Sequence, residues 1–431
     1  MRKLILPALP ALLAAAAASA DEGMWTFHDF PSAAVKQKYG VDVSQQWLDR
    51  VRTATVRLSG CTASFVSPEG LLLTNHHCVE QCLAEHSSRE SSLHEKGFLA
   101  NSRDRELRCS TQVADVLMAV EEVTGKVTAA TRGQDDKTAN ETRKKTLTTL
   151  ESQCEAASRK DRRAGPLKCE AVNLYNGGQY YLYKYKRYDD VRLAFAPEAD
   201  IAAFGGDPDN FQFPRWCLDM TLLRAYEKGK PARTPSHLKI DFAGPDPGEP
   251  VFVSGHPGST DRLLTVAQLE SLRDTDMPTW LLRNAELRGR YIQFGKSSEA
   301  SARIVRDQLN SLENVIKVRR KLLDALHDDA MLARKRQDES VVQARIAADP
   351  QLSAELGNPW ADIEKAQAVD RSLSLPFTFL ESGAGFSSRL FRYARTLVRG
   401  AAERDKGNTD RLREYTDAAL PRIEQIGRAH V

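Results

Sequence analysis

Three regimes of hydrophobic and polar spacing divide the chain. From about residue 25 to 125, short alternating or apolar runs such as Ala54-Thr55-Val56-Arg57-Leu58 lie among Gly, Pro and Ser punctuation. That pattern predicts strands, interrupted by one polar helical excursion near 80–100. The stretch 133–164 is charged and lacks aromatics, which predicts a helical insertion on the surface. Strand patterns return at 180–185, 191–195, 220–226 and 251–254. From about 265 the period lengthens. Leu309, Leu312, Ile316, Leu323, Leu326 and Ala330 fall on a heptad-like stripe, broken by Arg319 and set among charged residues, which predicts a helical bundle entered after Gly255-His256-Pro257-Gly258. Strands followed by helices make the fold class α+β. No internal repeat or low-complexity linker is visible.

The N-terminus departs from this pattern. Arg2 and Lys3 precede an apolar run at 4–17 that is short for a bilayer span, and Ala18-Ser19-Ala20 has the form of a cleavage site. Residues 1–20 are therefore read as a signal peptide, with a soluble, exported mature chain from Asp21 and no membrane segment in it. Export makes the seven cysteines disulfide candidates. Cys61 with Cys78 closes a loop of 17 residues and Cys154 with Cys169 one of 15, each worth roughly 3 kcal/mol by loop-closure entropy. Cys82 and Cys109 remain as a third pair that the sequence allows, with Cys217 the odd one. Composition narrows the partners: 61 basic against 58 acidic side chains leave +3, with no basic block interleaved with aromatics. Nucleic acid is excluded on that ground.

Candidate chemistry centres on Thr74-Asn75-His76-His77-Cys78. A Pro68-Glu69-Gly70 turn and the run Leu71-Leu72-Leu73 lead into it, and Gly60-Cys61-Thr62-Ala63-Ser64-Phe65-Val66 precedes that turn. This reads as a hairpin that delivers His77 at a strand end, locked by a Cys61–Cys78 bridge, which is what a general base needs to keep one tautomer and one orientation. The orienting carboxylate is expected at Asp219, 142 residues on, at the mouth of the 220–226 strand and after a Gly/Pro/Asp-rich loop. His76 is expected as a hydrogen-bonding neighbour. A Gly-x-Ser-Gly nucleophile motif is absent. Cys78, Cys82, His76 and His86 suggest zinc only superficially, because export favours disulfides over thiolate ligands. Asp207-Pro208-Asp209-Asn210 lacks the oxygen ligand and turn glycine of a calcium loop. No metal or other cofactor is expected. Gly205-Gly206 and Gly255-x-x-Gly258 read as turns.

Together, Gly60-Cys61-Thr62, residues 74–78, the 204–226 block, residues 254–258 and the export signal resemble the bacterial dipeptidyl-peptidase family, seven and eleven types, of chymotrypsin-fold serine peptidases. The resemblance covers essentially all of 21–425. It implies two β-barrels with an inserted α-helical domain that caps the active site and limits cleavage to dipeptides. On that basis 21–264 holds the first barrel and 265–425 an incomplete cap. His77 matches the catalytic base and Asp219 its acid. Asn210 matches the residue that holds the substrate's free α-amino group, and Phe211 stands at the neighbouring aromatic position, where the family often carries tryptophan. The substrates implied are oligopeptides with a free N-terminus, cleaved in the periplasm, with room left for a homodimer. The nucleophilic serine, the oxyanion hole and the pocket that sets acidic or hydrophobic preference belong to a second barrel beyond the helical domain, so the chain is read as truncated and inactive by itself. Residues 426–431 resemble a translated sequencing adapter and are read as a foreign tail. The competing reading is a non-catalytic exported peptide-binding module, a barrel half with a helical lid.

Overall fold

The computed structural model describes residues 23–88, 90–161, 165–202, 216–257, 261–386, 388–417 and 419. Its strands are β1 (Thr55–Arg57), β2 (Thr62–Phe65), β3 (Leu71–Thr74), β4 (Phe98–Leu99), β5 (Leu107–Arg108), β6 (Ala114–Glu122), β7 (Lys168–Leu174), β8 (Gln179–Tyr188), β9 (Asp190–Ala196), β10 (Thr221–Glu227) and β11 (Lys230–Pro231). They form one antiparallel sheet in the order β4-β9-β10-β3-β2-β1-β6-β8-β7, with β11 on β10 and β5 on β9. Alternation explains β2, β3 and β10: Phe65, Leu72 and Leu223 point inward to one core, which Val56 and Leu193 join, and the sequence neighbours of the first three are not buried. Burying such a side chain contributes about 1.5–3 kcal/mol.

Two features fix the end of the sheet that matters for chemistry. Gly70 turns β2 into β3 at φ +73°, where a Cβ would meet the Ala225 carbonyl at 2.6 Å, so only glycine lets the hairpin sit against β10. β3 and β10 then pair with Thr74 opposite Thr221 and Leu72 opposite Leu223. This register brings the residues just after β3 beside those just before β10.

The helical excursion near 80–100 is α3 (Glu80–Glu85) and α4 (Leu93–Lys96), and the charged insertion is α6 (Asp136–Lys160). With α5 (Thr124–Thr131), α6 lays Leu147, Leu150 and Cys154 on a second cluster built from Val123, Val127, Cys169, Tyr180 and Leu182. The short α7 (Ala199–Ala202) follows β9. Beyond 265 come α8 (Val266–Ser271), α9 (Met277–Gly295), α10 (Glu299–Leu326), α11 (Asp329–Ala348), α12 (Pro350–Leu356), α13 (Pro359–Pro376) and α14 (Arg389–Arg404). No helix among the described residues is long and apolar enough to cross a membrane.

Three expectations change. Residues 32–54, expected in strands, form α1 (Ser32–Tyr39) and α2 (Gln45–Ala54). The Ser44 hydroxyl caps α2 by accepting from the Trp47 amide, and Leu48, Val51 and Ala54 bury one face at helical spacing. The 251–254 run is not a strand: β1, its neighbour through a Ser254 to Thr55 hydroxyl contact of 3.0 Å, is already paired on both sides, and Val253 is 100% exposed. The heptad stripe also stops early. Asp328 accepts from the Ala330 and Met331 amides and starts α11, so Ala330 is exposed on the next helix, while Ile316 and Leu326 are buried on α10.

Candidate active site

β3 ends at Thr74, whose hydroxyl donates to the Thr62 carbonyl at 2.8 Å. Asn75 continues extended, and His76–Val79 make a single 3-10 turn. Because Thr221 lies opposite Thr74, Asp219 reaches across to this turn. Its Oδ2 is 2.9 Å from His77 Nδ1, and its Oδ1 accepts from the His77 backbone amide at 3.2 Å. Asn75 Nδ2 donates both to Asp219 Oδ2, at 3.2 Å, and to the Asp219 carbonyl, at 3.0 Å. The carboxylate side chain is 4% exposed and the imidazole 44%.

This geometry fixes the tautomer. A carboxylate only accepts, so the proton in the short contact belongs to His77 Nδ1, which leaves the lone pair on Nε2. Three donors from one turn hold the buried carboxylate in a single rotamer. The arrangement can accept a proton at Nε2 and stabilise the imidazolium that results.

Covalent links fasten the turn. Cys61 and Cys78 form a disulfide with Cα atoms 6.1 Å apart, joining the residue before β2 to the residue after His77. Cys82 on α3 and Cys109 form a second, at 5.0 Å, within the main core. A third joins Cys154 on α6 to Cys169 on β7. Cys217 keeps its thiol, which donates to the Ala202 carbonyl at 2.8 Å. Cys61, His77 and Cys78, and likewise Cys82, Glu85 and His86, crowd within 4.8 Å, but every cysteine in these groups is oxidised and offers no thiolate to a metal.

Neighbouring groups shape the field. Burial raises the Glu80 carboxyl above its usual range, reinforced by Asp307 and countered by His77. Burial likewise lowers His94, with Asp307 acting upward and Arg306 downward. Asp307 of α10 thus lies within electrostatic reach of both α3 and α4, and Arg306 within reach of α4. His76 is 3% exposed; burial lowers its pKa, and its Nε2 has no partner among the described residues. Asn210 and Phe211 lie outside the described residues.

Of the sequence candidates, the structure brings His77 and Asp219 together. Sequence reasoning missed Asn75. The signal was present: an amide side chain two residues before the histidine, at the strand end, reaches whatever carboxylate the histidine reaches.

Comparison with known proteins shows the family. The peptidase S46 family profile matches residues 20–429. The chain belongs to the peptidase S46 family. The match enters the stretch 426–431 that the sequence suggested was foreign. An Asp/Glu-specific dipeptidyl-peptidase of Shewanella putrefaciens is 30% identical over 426 residues, covering 95% of this chain and 56% of that protein. Dipeptidyl-peptidase 7 of Capnocytophaga gingivalis is 26% identical over 84% of this chain and 53% of that relative. This S46 chain therefore spans little more than half the length of these relatives. A crystal structure of Porphyromonas endodontalis DPP11 in complex with the dipeptide Arg-Glu superposes with a TM-score of 0.74 at 22% identity, over 95% of this chain and 60% of the other. The likeness covers both the large antiparallel sheet and the helices.

Proposed function

We propose that the chain is the general-base half of an exported serine-type dipeptidyl-peptidase that releases dipeptides from the free N-terminus of oligopeptides. The observation that carries this reading is the His77 Nδ1 to Asp219 Oδ2 contact of 2.9 Å, on a carboxylate that is 4% exposed, in a chain of a peptidase family. In this reading His77 Nε2 takes the proton of a serine hydroxyl and returns it to the leaving amine, and Asp219 holds the tautomer and the developing charge. Asn210 anchors the substrate ammonium and Phe211 flanks it, so that the second peptide bond is the one cut. The serine and oxyanion donors would come from a second β-barrel beyond the helical segment, in the part of the relatives' length that this chain does not span. The helices from 265 onward would form the cap, the signal at 1–20 would send the enzyme to the periplasm, and no cofactor is needed for the chemistry.

The test compares two forms on fluorogenic dipeptidyl substrates with free and acetylated N-termini. The 431-residue chain should be inactive, because loss of a triad serine costs on the order of a millionfold. A form extended to the relatives' length should cleave only free-amino substrates and be silenced by a serine-directed phosphonate. Phosphonate-sensitive turnover by the short chain, or turnover of acetylated substrates by the long one, would overturn the reading.

A further inference from the structure

A second polar site lies at the other edge of the sheet. β7 is separated from β3 by β2, β1, β6 and β8, and beside it α6, the β7–β8 turn and the segment after α14 enclose a cleft of about 380 Å³. Four cations line it: Arg143 and Lys144 from α6, and Arg411 and Arg413 from the segment after α14. Arg411 is neutralised by Asp417 at 2.8 Å. Arg143, Lys144 and Arg413 make no ion pair within 4 Å among the described residues; Arg143 meets only the Asn140 amide oxygen, at 3.5 Å, and Arg413 donates to the Ala171 carbonyl at 3.0 Å. One carboxylate, Glu151, is among the lining residues, and it is 9% exposed and accepts from the Ala171 amide at 2.7 Å; Glu170, which acts on Arg413 from outside the cleft, is already paired with Arg57 at 2.8 Å. Three unpaired cations against one carboxylate leave a surplus of two charges in a concave, partly enclosed space.

The neutral lining has matching chemistry. Asn140, Asn173 and Asn176 supply amide donors to the same cleft. Asn176 is held there by an unusual backbone: Tyr175 and Asn176 are both left-handed, at φ 53° and 52°, ahead of Gly177 at 102°. Two consecutive non-glycine residues in that region persist only where surrounding contacts hold them, and such strain collects at binding sites. α6 and the segment after α14 are also linked directly, since Lys145 on α6 pairs with Asp410 at 2.7 Å.

We propose that this cleft binds a phosphate dianion, either inorganic phosphate or a phosphomonoester. Guanidinium forks and amide donors suit a tetrahedral oxyanion, and the surplus charge equals that of the ligand. The site is independent of the peptidase reading, because it shares no residue with the His77 turn.

Calorimetric titration of the full 431-residue chain with inorganic phosphate, at constant ionic strength, tests it. Saturable one-site binding is expected, weakened at least tenfold in Arg143→Gln and in Arg413→Gln. Among the described residues Arg143 hydrogen-bonds only to Asn140, so its variant should unfold at the wild-type temperature in phosphate-free buffer even if loss of the Arg413 contact lowers stability. Phosphatidylcholine vesicles with and without phosphatidic acid separate the sources. Sedimentation with the acidic vesicles that phosphate reverses would make the ligand a lipid headgroup, and saturable phosphate binding without sedimentation would make it soluble; both sustain the site. Absence of saturable binding, or binding unchanged in Arg143→Gln, would refute it.

Discussion

Asn75, His77 and Asp219 are hydrogen-bonded into one unit, and the least conspicuous of them carries a specific expectation. Asn75 supplies two hydrogen bonds to Asp219, and a bond to a charged group is worth about 1.5–3 kcal/mol. In a form extended to the relatives' length, Asn75→Ala should lower kcat by roughly tenfold to a hundredfold and leave KM nearly unchanged, because it loosens the carboxylate without touching substrate. Steady-state kinetics that showed KM rising with kcat intact would place Asn75 in binding instead. A second residue answers to pH. Burial, assisted by Arg57, lowers His256 from 6.5 to about 4, and its Nε2 has no partner among the described residues. The folded state therefore holds His256 neutral: this contribution to stability is complete above pH 6.5 and is lost as pH falls through 4, amounting to about 3 kcal/mol at the low end. Urea unfolding at pH 7 and pH 4 should show a smaller acid loss for His256→Gln than for wild type, and equal losses would remove His256 as the cause. His77 was legible in the sequence because its motif is contiguous. Asn75 lay in the same motif, but its role depends on a partner 144 residues away.

At the scale of elements, the site is a property of register. The histidine turn follows β3 and the aspartate precedes β10, and pairing Thr74 with Thr221 is what joins them; a slip by one residue would turn Leu72 and Leu223 out of the core. The alternating runs at 191–195 and 220–226 were readable as strands, and the uncharacteristic polar stretch at 133–164 as a helix. The 251–254 run misled because alternation reports a face and not a vacant neighbour, and 32–54 misled because its helical signal rests on one cap and three buried positions. The Cys61–Cys78 bridge spans the hairpin that presents His77. Replacing both cysteines by serine should cost about 2–5 kcal/mol in thermal or urea unfolding. A change below about 0.5 kcal/mol would mean that the turn is held by its hydrogen bonds alone.

At the scale of the molecule, sequence motifs were enough to suggest the family, and the match over residues 20–429 establishes it. Packing between helices was less legible. Leu269 and Leu332, from α8 and α11, meet Leu326 at the end of α10 to form one cluster, a contact between distant segments that no local period encodes. The chain's length is a little over half that of these relatives. The central claim is that His77, oriented by Asp219, moves the proton in peptide-bond cleavage. It is tested most directly by turnover of a free-amino dipeptidyl substrate in a form extended to the relatives' length, with and without His77→Ala. The expected result is loss of kcat on the order of a millionfold with dipeptide affinity retained, and turnover within about tenfold of wild type would contradict the account.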